Sequence, residues 1–254
     1  MPAFLCFTLW SPLAAFGDVA VGERRPSLER PARSAVLGLV AAALGIERRE
    51  QSALDALTAS LLVAVHALRP GSPRESYGTL LEDFHTAQVP PARKGVRHAT
   101  RRDELAAPGG LGTILSRRDY RLEPWHEVVL MAPGDLAVTL DTIAAALRAP
   151  RLVLYHGRKG CALGLPPDAR LLPDMPDLGT ALSAYARNGV ARRVLGRSPI
   201  SAALHADVAL RPWLGPAWRV DRIVERRDQP GDRRRWQFAV RRELVAVPSG
   251  AVVA

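Results

Sequence analysis

Metal and disulfide chemistry find little in this chain to work with. Its two cysteines, Cys6 and Cys161, make neither a disulfide framework nor a thiolate metal set. Its six histidines are His66, His85, His98, His126, His156 and His205. None lies at metal-ligand spacing with another histidine or a cysteine. No metal and no cofactor are therefore expected, and a reducing compartment is the default. The GxSxG, P-loop and GxGxxG patterns are missing, so acyl transfer and nucleotide-driven work have no motif behind them. No apolar run reaches membrane-spanning length, and no basic leader precedes the apolar start. The expectation is a cytoplasmic protein with no membrane partner. Lysine is nearly missing too: Lys94 and Lys159 leave 33 of the 35 basic side chains to arginine.

What is present is positive charge on an apolar framework. The net charge of +10 and the pI near 10.8 point to a polyanionic partner. Arginine suits phosphates and base edges through its planar fork, although a GC-rich genome produces the same preference over lysine. With 254 residues and 48% hydrophobic residues, the chain can bury a sizeable core as one large domain or two small ones.

The stretch from Gly22 to Ile46 organises the rest. Arg24, Arg25, Arg30 and Arg33 precede the wholly apolar run Ala35 to Leu44. Ser34 stands where a helix N-cap is expected. A helix apolar on every side belongs inside a core, and Gly38 within it predicts close packing against a sheet. Four guanidiniums, free amides and the positive helix end would converge on one place that suits a phosphate. A solvated loop leading into a core helix is the plainer alternative.

Around this stretch, Ala3 to Leu9 reads as a buried strand. A second helix starts at Ser52 with Asp55 as a capping partner, and Leu62 to Leu68 is a strand whose His66 sits at the core edge. From Arg69 to Gly112 the pattern is least regular, and Pro91 to Leu122 carries Arg93, Lys94, Arg97, Arg101, Arg102, Arg117, Arg118 and Arg121. This predicts a basic arm. Thr113 to Arg121 and Trp125 to Met131 read as strands, Leu136 to Leu147 as a helix, and Leu152 to Tyr155 as a strand ending in the basic turn His156 to Cys161. The order approximates a βαββαβ ferredoxin-like sandwich with an insertion. The expected fold is α+β: a domain over residues 1–167 with an inserted arm at about 77–112, and a smaller β-rich extension over 168–254. In that extension Leu178 to Arg187 predicts a helix. Trp218 to Glu225 and Arg235 to Val245 predict a hairpin whose Arg233, Arg234 and Arg235 are as well explained by solvent as by a partner.

Three basic clusters, at Arg24 to Arg33, in the arm, and at Arg158 and Lys159, could track a nucleic-acid backbone and give affinity without sequence choice. His85, Lys94 and His98 could act as general acid and base in a metal-free ribonuclease, but they are spread over a long loop. RNA contact or solvent exposure is the preferred reading of His85.

At these residues the sequence resembles the CasD family. These are ferredoxin-like subunits of the type I-E CRISPR surveillance complex, Cascade, and belong to the wider repeat-associated RAMP proteins. The resemblance rests on Leu9, Pro12, Leu13, Phe16 and Gly17 after the first strand. It continues with Arg25-Pro26, Pro31, Arg33-Ser34, Gly38-Leu39 and Leu44-Gly45-Ile46, with Asp83-Phe84-His85-Thr86, and with Tyr155, Gly157-Arg158-Lys159 and Cys161. Phe16 stands where the family often has Trp, and Ala162 replaces the usual Pro. The resemblance covers about residues 1–167.

It implies a non-catalytic antiviral subunit that grips the 5′ handle of the guide RNA and caps the backbone filament. Its thumb would fold over the guide, and the large subunit would dock beside it. Matching positions are Arg24, Arg25, Arg33, Ser34, Arg158 and Lys159 near the handle and the Arg93–Arg102 region as thumb, with His85, Arg117 and Arg118 as further RNA contacts. Implied partners are the guide RNA, the backbone and large subunits and, within the complex, target DNA. Because a related subtype's equivalent subunit cuts precursor RNA, a metal-independent endoribonuclease processing CRISPR repeat RNA is the alternative. A general single-strand RNA binder is the third option.

Overall fold

The run FLCFTLW forms strand β1 (Phe4–Trp10), buried from Phe4 to Leu9. A strand covered on both faces reads as a continuous apolar run rather than an alternation. In the computed structural model, which describes residues 1–18, 20, 22–72, 78–91, 95–106, 109–134, 138–233 and 235–250, four two-residue strands come next: β2 (Leu13–Ala14), β3 (Phe16–Gly17), β4 (Arg24–Arg25) and β5 (Ser27–Leu28). Helices α1 (Arg33–Leu44) and α2 (Gln51–Ser60) lead into β6 (Leu62–Arg69). A ribbon follows, made of β7 (Leu80–Val89) and β8 (Gly112–Leu122), with the short helix α3 (Arg101–Leu105) between them. The chain then runs through β9 (Trp125–Met131), α4 (Leu140–Arg148), β10 (Arg170–Leu172), α5 (Leu178–Arg187) and α6 (Val190–Leu195). The last strands are β11 (Ile200–Asp207), β12 (Trp218–Pro230) and β13 (Phe238–Pro248), and the 3-10 helix Val208–Trp213 follows β11.

Seven of these strands form one antiparallel sheet in the order β10-β1-β9-β6-β11-β13-β12. The architecture is α+β. Residues beyond 167 supply β10, β11, β12 and β13, four of the seven strands, so the sheet runs without a break past that position. Successive side chains of a strand point to opposite faces, and each face here has its own cover. Leu5, Phe7, Leu9, Val63, Val65, Val128 and Leu130 pack with α1, α2 and α4. Phe4, Cys6, Ala64, Val129, Met131, Leu204 and Leu244 pack with α5 and the 3-10 helix. No helix among the described residues is long and apolar enough to cross a membrane.

Several expected elements differ. Helix α1 starts at Arg33, with Ala32 rather than Ser34 in the cap position and no side-chain cap. The Arg33 amide instead donates to the Asp228 carboxylate, 2.9 Å away on β12. The positive end of α1 has therefore found an internal carboxylate. Helix α2 starts at Gln51, and Asp55 accepts from the Gln51 side chain at 2.7 Å rather than capping. Helix α4 starts at Leu140 because the Thr139 hydroxyl accepts from the Thr142 amide at 3.2 Å; Leu136 lies outside the described residues. Leu152 to Tyr155 is no strand of the sheet. The amides of Arg151 and Leu152 donate to the carbonyls of Ala43 and Ala42, capping α1, and β10 takes the place beside β1. The irregular segment from Arg69 onward contains the ten-residue strand β7, paired along its whole length with β8. Most of that ribbon's side chains are exposed.

Buried charge ties the two ends of the chain together. Arg33, only 6% exposed, donates to Asp207 at 2.9 Å, to Gln229 at 3.0 Å and to the carbonyls of Thr58 and Leu61 at 2.9 and 2.8 Å. Arg30 pairs with Glu243, and Arg241 reaches Asp207, Asp228 and Glu243. Every acid in the group faces a guanidinium, which a buried carboxylate requires. Burial works to raise the Glu243 pKa, but His205, Arg30 and Arg241 overcome it and hold the group at about 2.

A carboxylate depressed in the folded state stabilises above its unfolded pKa and loses that contribution as pH falls toward its folded pKa. Glu243→Gln is expected to lower stability at neutral pH by about 3–5 kcal/mol, since it leaves buried Arg30 without its carboxylate. Urea denaturation across pH should show the gap to wild type closing between the ordinary value of 4.5 and about 2. A gap that stays constant over this window would contradict the assignment.

Candidate nucleic-acid interface

Two arginine pairs far apart in sequence lie side by side. Strand β4 runs parallel to β8, with Arg24 opposite Arg117 and Arg25 opposite Arg118. The Arg117 amide donates to the Glu23 carbonyl at 3.1 Å. Like charges on adjacent strands repel, and only part of this charge is answered internally. Buried Asp119 accepts from Arg24 at 3.2 Å, while Glu82 stands 3.9 Å from both Arg24 and Arg117. Arg25 donates to the Gly22 carbonyl at 2.6 Å, and Arg118 to the Ser116 hydroxyl at 3.2 Å. Their charges remain exposed on the shelf. A cleft of about 310 Å³ beside them is lined by Arg25, His85, Ser116 and Arg118.

The basic turn locks onto this shelf. Arg158 donates to the carbonyl of Arg25 at 2.9 Å and of Asp119 at 3.3 Å, and its guanidinium lies 5.0 Å from the centre of the Tyr120 ring. The turn closes through the His156 amide on Cys161 at 2.7 Å and the Cys161 amide on Arg158 at 2.8 Å. Gly157 sits at φ +98°, against the backbone of Ala15. Beneath it, Phe16, His126 and His156 meet edge to face, with ring centres 4.9 to 5.5 Å apart. Burial pushes His126 down to about 3 and His156 well below the usual histidine range. Both rings are therefore neutral packing groups at physiological pH.

On the far side of the turn lies a groove of about 1020 Å³. Its floor is the Ser34, Ala35, Gly38 and Ala42 side of α1, and Leu152, Val153 and Tyr155 form one wall. The opposite wall is the tip of the β12–β13 hairpin, with Arg233, Trp236 and Phe238, joined by Arg48. Gly38 faces this groove and not the sheet: a Cβ there would meet the end of the Arg233 side chain at 2.8 Å. Lys159 and Arg158 stand at the rim.

The site residues expected from sequence thus divide. Arg24, Arg25, Arg117, Arg118, Arg158 and His85 come together on the shelf and its cleft. Ser34 and Lys159 line the groove. Arg33 does not belong to the surface; with Arg30 it is a buried ion-pair partner, which corrects the expectation of four converging guanidiniums. Arg97, Arg101 and Arg102 are exposed near the ribbon's tip, where Arg101 binds the Gln88 carbonyl and Glu104. Arg93 and Lys94 lie outside the described residues. His85 pairs with Asp83 at 3.2 Å. No group of three or more His, Cys, Asp or Glu that could hold a metal occurs among the described residues. Sequence reading missed Arg48, Trp236 and Phe238; the aromatics directly after the Arg233–Arg235 run were the available signal.

Residues 4–243 match the family model described as CRISPR-associated protein (Cas_Cas5). Over 225 residues the chain is 29% identical to the CRISPR system Cascade subunit CasD of Escherichia coli (strain K12), covering 84% of this chain and 95% of that protein. In fold it is similar to a chain of a CRISPR RNA-guided surveillance complex, with TM-score 0.56, 22% identity and coverage of 99% and 93% of the two chains. It is also similar to a structure titled as a Cas protein, with TM-score 0.51, 23% identity and coverage of 97% and 95%.

Gly157→Ala is expected to destabilise the protein by at least about 1–3 kcal/mol, since a side chain at left-handed φ is strained and the added Cβ would lie 2.0 Å from the Ala15 oxygen. A thermal melt equal to wild type would show that the turn is not held against Ala15.

Proposed function

The chain belongs to the Cas5 family of CRISPR-associated proteins, and from that premise we propose that it is a non-catalytic subunit of a type I-E CRISPR surveillance complex. In this reading it grips the 5′ handle of the guide RNA and caps the filament of backbone subunits, in the cytoplasm. The strand order β10-β1-β9-β6, with α1 and α2 before β6 and α4 before β10, supports a ferredoxin-like βαββαβ core. The β7–β8 ribbon is then the thumb that folds over the guide, with Arg97, Arg101 and Arg102 at its end. The backbone and large subunits, and target DNA in the assembled complex, are the remaining partners.

One observation carries the reading: the parallel pairing of β4 with β8. It gathers guanidiniums from two distant segments onto a single shelf, and Arg158 fastens a third segment there. Exposed arginines held this close together suit a folded phosphate backbone, which supplies several anionic oxygens within a short span. Such contacts fix register and leave the base sequence unread.

The ribonuclease alternative needs a second proton-transfer group within reach of His85. Glu23 is the one carboxylate among the described residues that line that cleft, and Asp83 beside it already pairs with the imidazole. The non-catalytic reading rests on the spread of His85, Lys94 and His98 along the chain.

Filter binding of repeat-derived RNA should show affinity falling steeply with salt. Replacing Arg25 and Arg118 with Ala should reduce the slope of log affinity against log salt by roughly 1–1.5, because each phosphate contact on a single strand contributes about 0.7. The same samples, run on a denaturing gel, should contain uncut RNA. A flat salt response would contradict the phosphate reading, and protein-dependent cuts that vanish in His85→Ala would establish the nuclease instead.

A further inference from the structure

We propose that the groove beside α1 holds an unpaired RNA base against Trp236, with the cations of its rim on the flanking phosphates. The proposal deepens the guide-RNA reading and rests on it. Trp236 is 60% exposed, whereas Trp125 and Trp218 are 1% and 9% exposed in the core. Its backbone φ is 55°, a left-handed conformation that bulky residues rarely adopt. The hairpin tip therefore displays a large aromatic where packing would hide one.

Its neighbours form a mixed cation–aromatic platform. The Arg48 guanidinium lies 4.2 Å from the Trp236 ring centre and the Arg233 guanidinium 5.8 Å, with the Phe238 ring 6.3 Å away. Arg48 also donates to the Arg233 carbonyl at 2.7 Å, which ties the tip to the segment after α1. Unpaired bases stack on aromatic rings and guanidinium planes, and that stacking tolerates any base.

Charge favours RNA over a protein segment as the occupant. Arg48, Arg158, Lys159 and Arg233 all line the groove, and among the described residues no Asp or Glu does. Burial, with Arg48 nearby, lowers the Arg233 pKa, so the tip gains from an added anion. The groove also continues the shelf, because Arg158 lines it while bonding the Arg25 carbonyl. A strand whose phosphates follow the shelf is thereby delivered to Trp236.

The test compares the affinity of the full chain for two fluorescent strands of equal length: oligoadenylate, and an abasic ribose-phosphate strand. Trp236→Ala should weaken oligoadenylate binding roughly 5- to 150-fold, the loss expected for one stacked base, and leave the abasic strand unchanged. Trp236→Phe should recover most of the loss. Gly38→Leu, which fills the groove from its floor, should reproduce the base-selective defect and guards against a folding artefact at the tip. Wild-type affinity of Trp236→Ala for oligoadenylate, or equal losses on both strands, would overturn the proposal while leaving the shelf intact. Failure of wild type to bind either strand at low salt would overturn the guide-RNA reading itself. A Trp236→Ala protein that binds RNA normally yet no longer joins the other subunits would assign the groove to a protein and overturn the proposal.

Discussion

The buried ion network around Arg33 is the constraint on which the rest of the architecture depends. It joins the loop before α1 to β11, β12 and β13, about 170–210 residues further along the chain. Arg30 and Arg33 are spent there, and that decides which arginines remain for a partner. With those two side chains drawn inward, the preceding segment turns Arg24 and Arg25 outward against β8. The same network positions the β12–β13 hairpin over α1, so its tip becomes the wall of a groove. Buried ion pairs are weak evidence for net stability but strong evidence for a single geometry once every member is satisfied.

The positive balance of the chain follows from this division. Arginines with carboxylates nearby hold the fold: Arg192 on Glu127, Arg197 on Glu123 and Arg241 on its three acids. Arg24 reaches Asp119 and shares Glu82 with Arg117, but Arg25, Arg118 and Arg158 on the shelf and Arg233 by the groove meet carbonyls, a hydroxyl and rings. Such contacts orient a guanidinium without neutralising it. The unneutralised charge is thus concentrated where two backbone segments, a turn and a hairpin tip converge, and an incoming polyanion completes what the fold leaves open.

The apolar strands were legible because burial on both faces leaves an unbroken signature in β1 and β9, and α5 and the final hairpin stood out by periodicity and turn chemistry. Other elements depend on partners that the local sequence does not name. Strand β10 is three residues long and exists through its pairing with β1. In LLEDFHTAQV the ribbon strand β7 mixes exposed apolar and polar residues, so neither period appears. Leu152 to Tyr155 looked like a strand by composition, yet its amides serve the end of α1. At the candidate site the charges were visible and their sorting was not. Arg33 reads like Arg25 until Asp207 and Asp228 are placed beside it. Trp236 was hidden behind three arginines that a solvated turn explains equally well.

Photo-cross-linking of the assembled, RNA-loaded complex, with the linked peptides read by mass spectrometry, tests the central claim most directly. If β4, β8, the basic turn and the hairpin tip form one RNA surface, links will fall on Arg24–Arg25, on Arg117–Tyr120, on Tyr155–Lys159 and on Trp236. Links confined to α5 and the 3-10 helix Val208–Trp213, which cover the other face of the sheet, would contradict it.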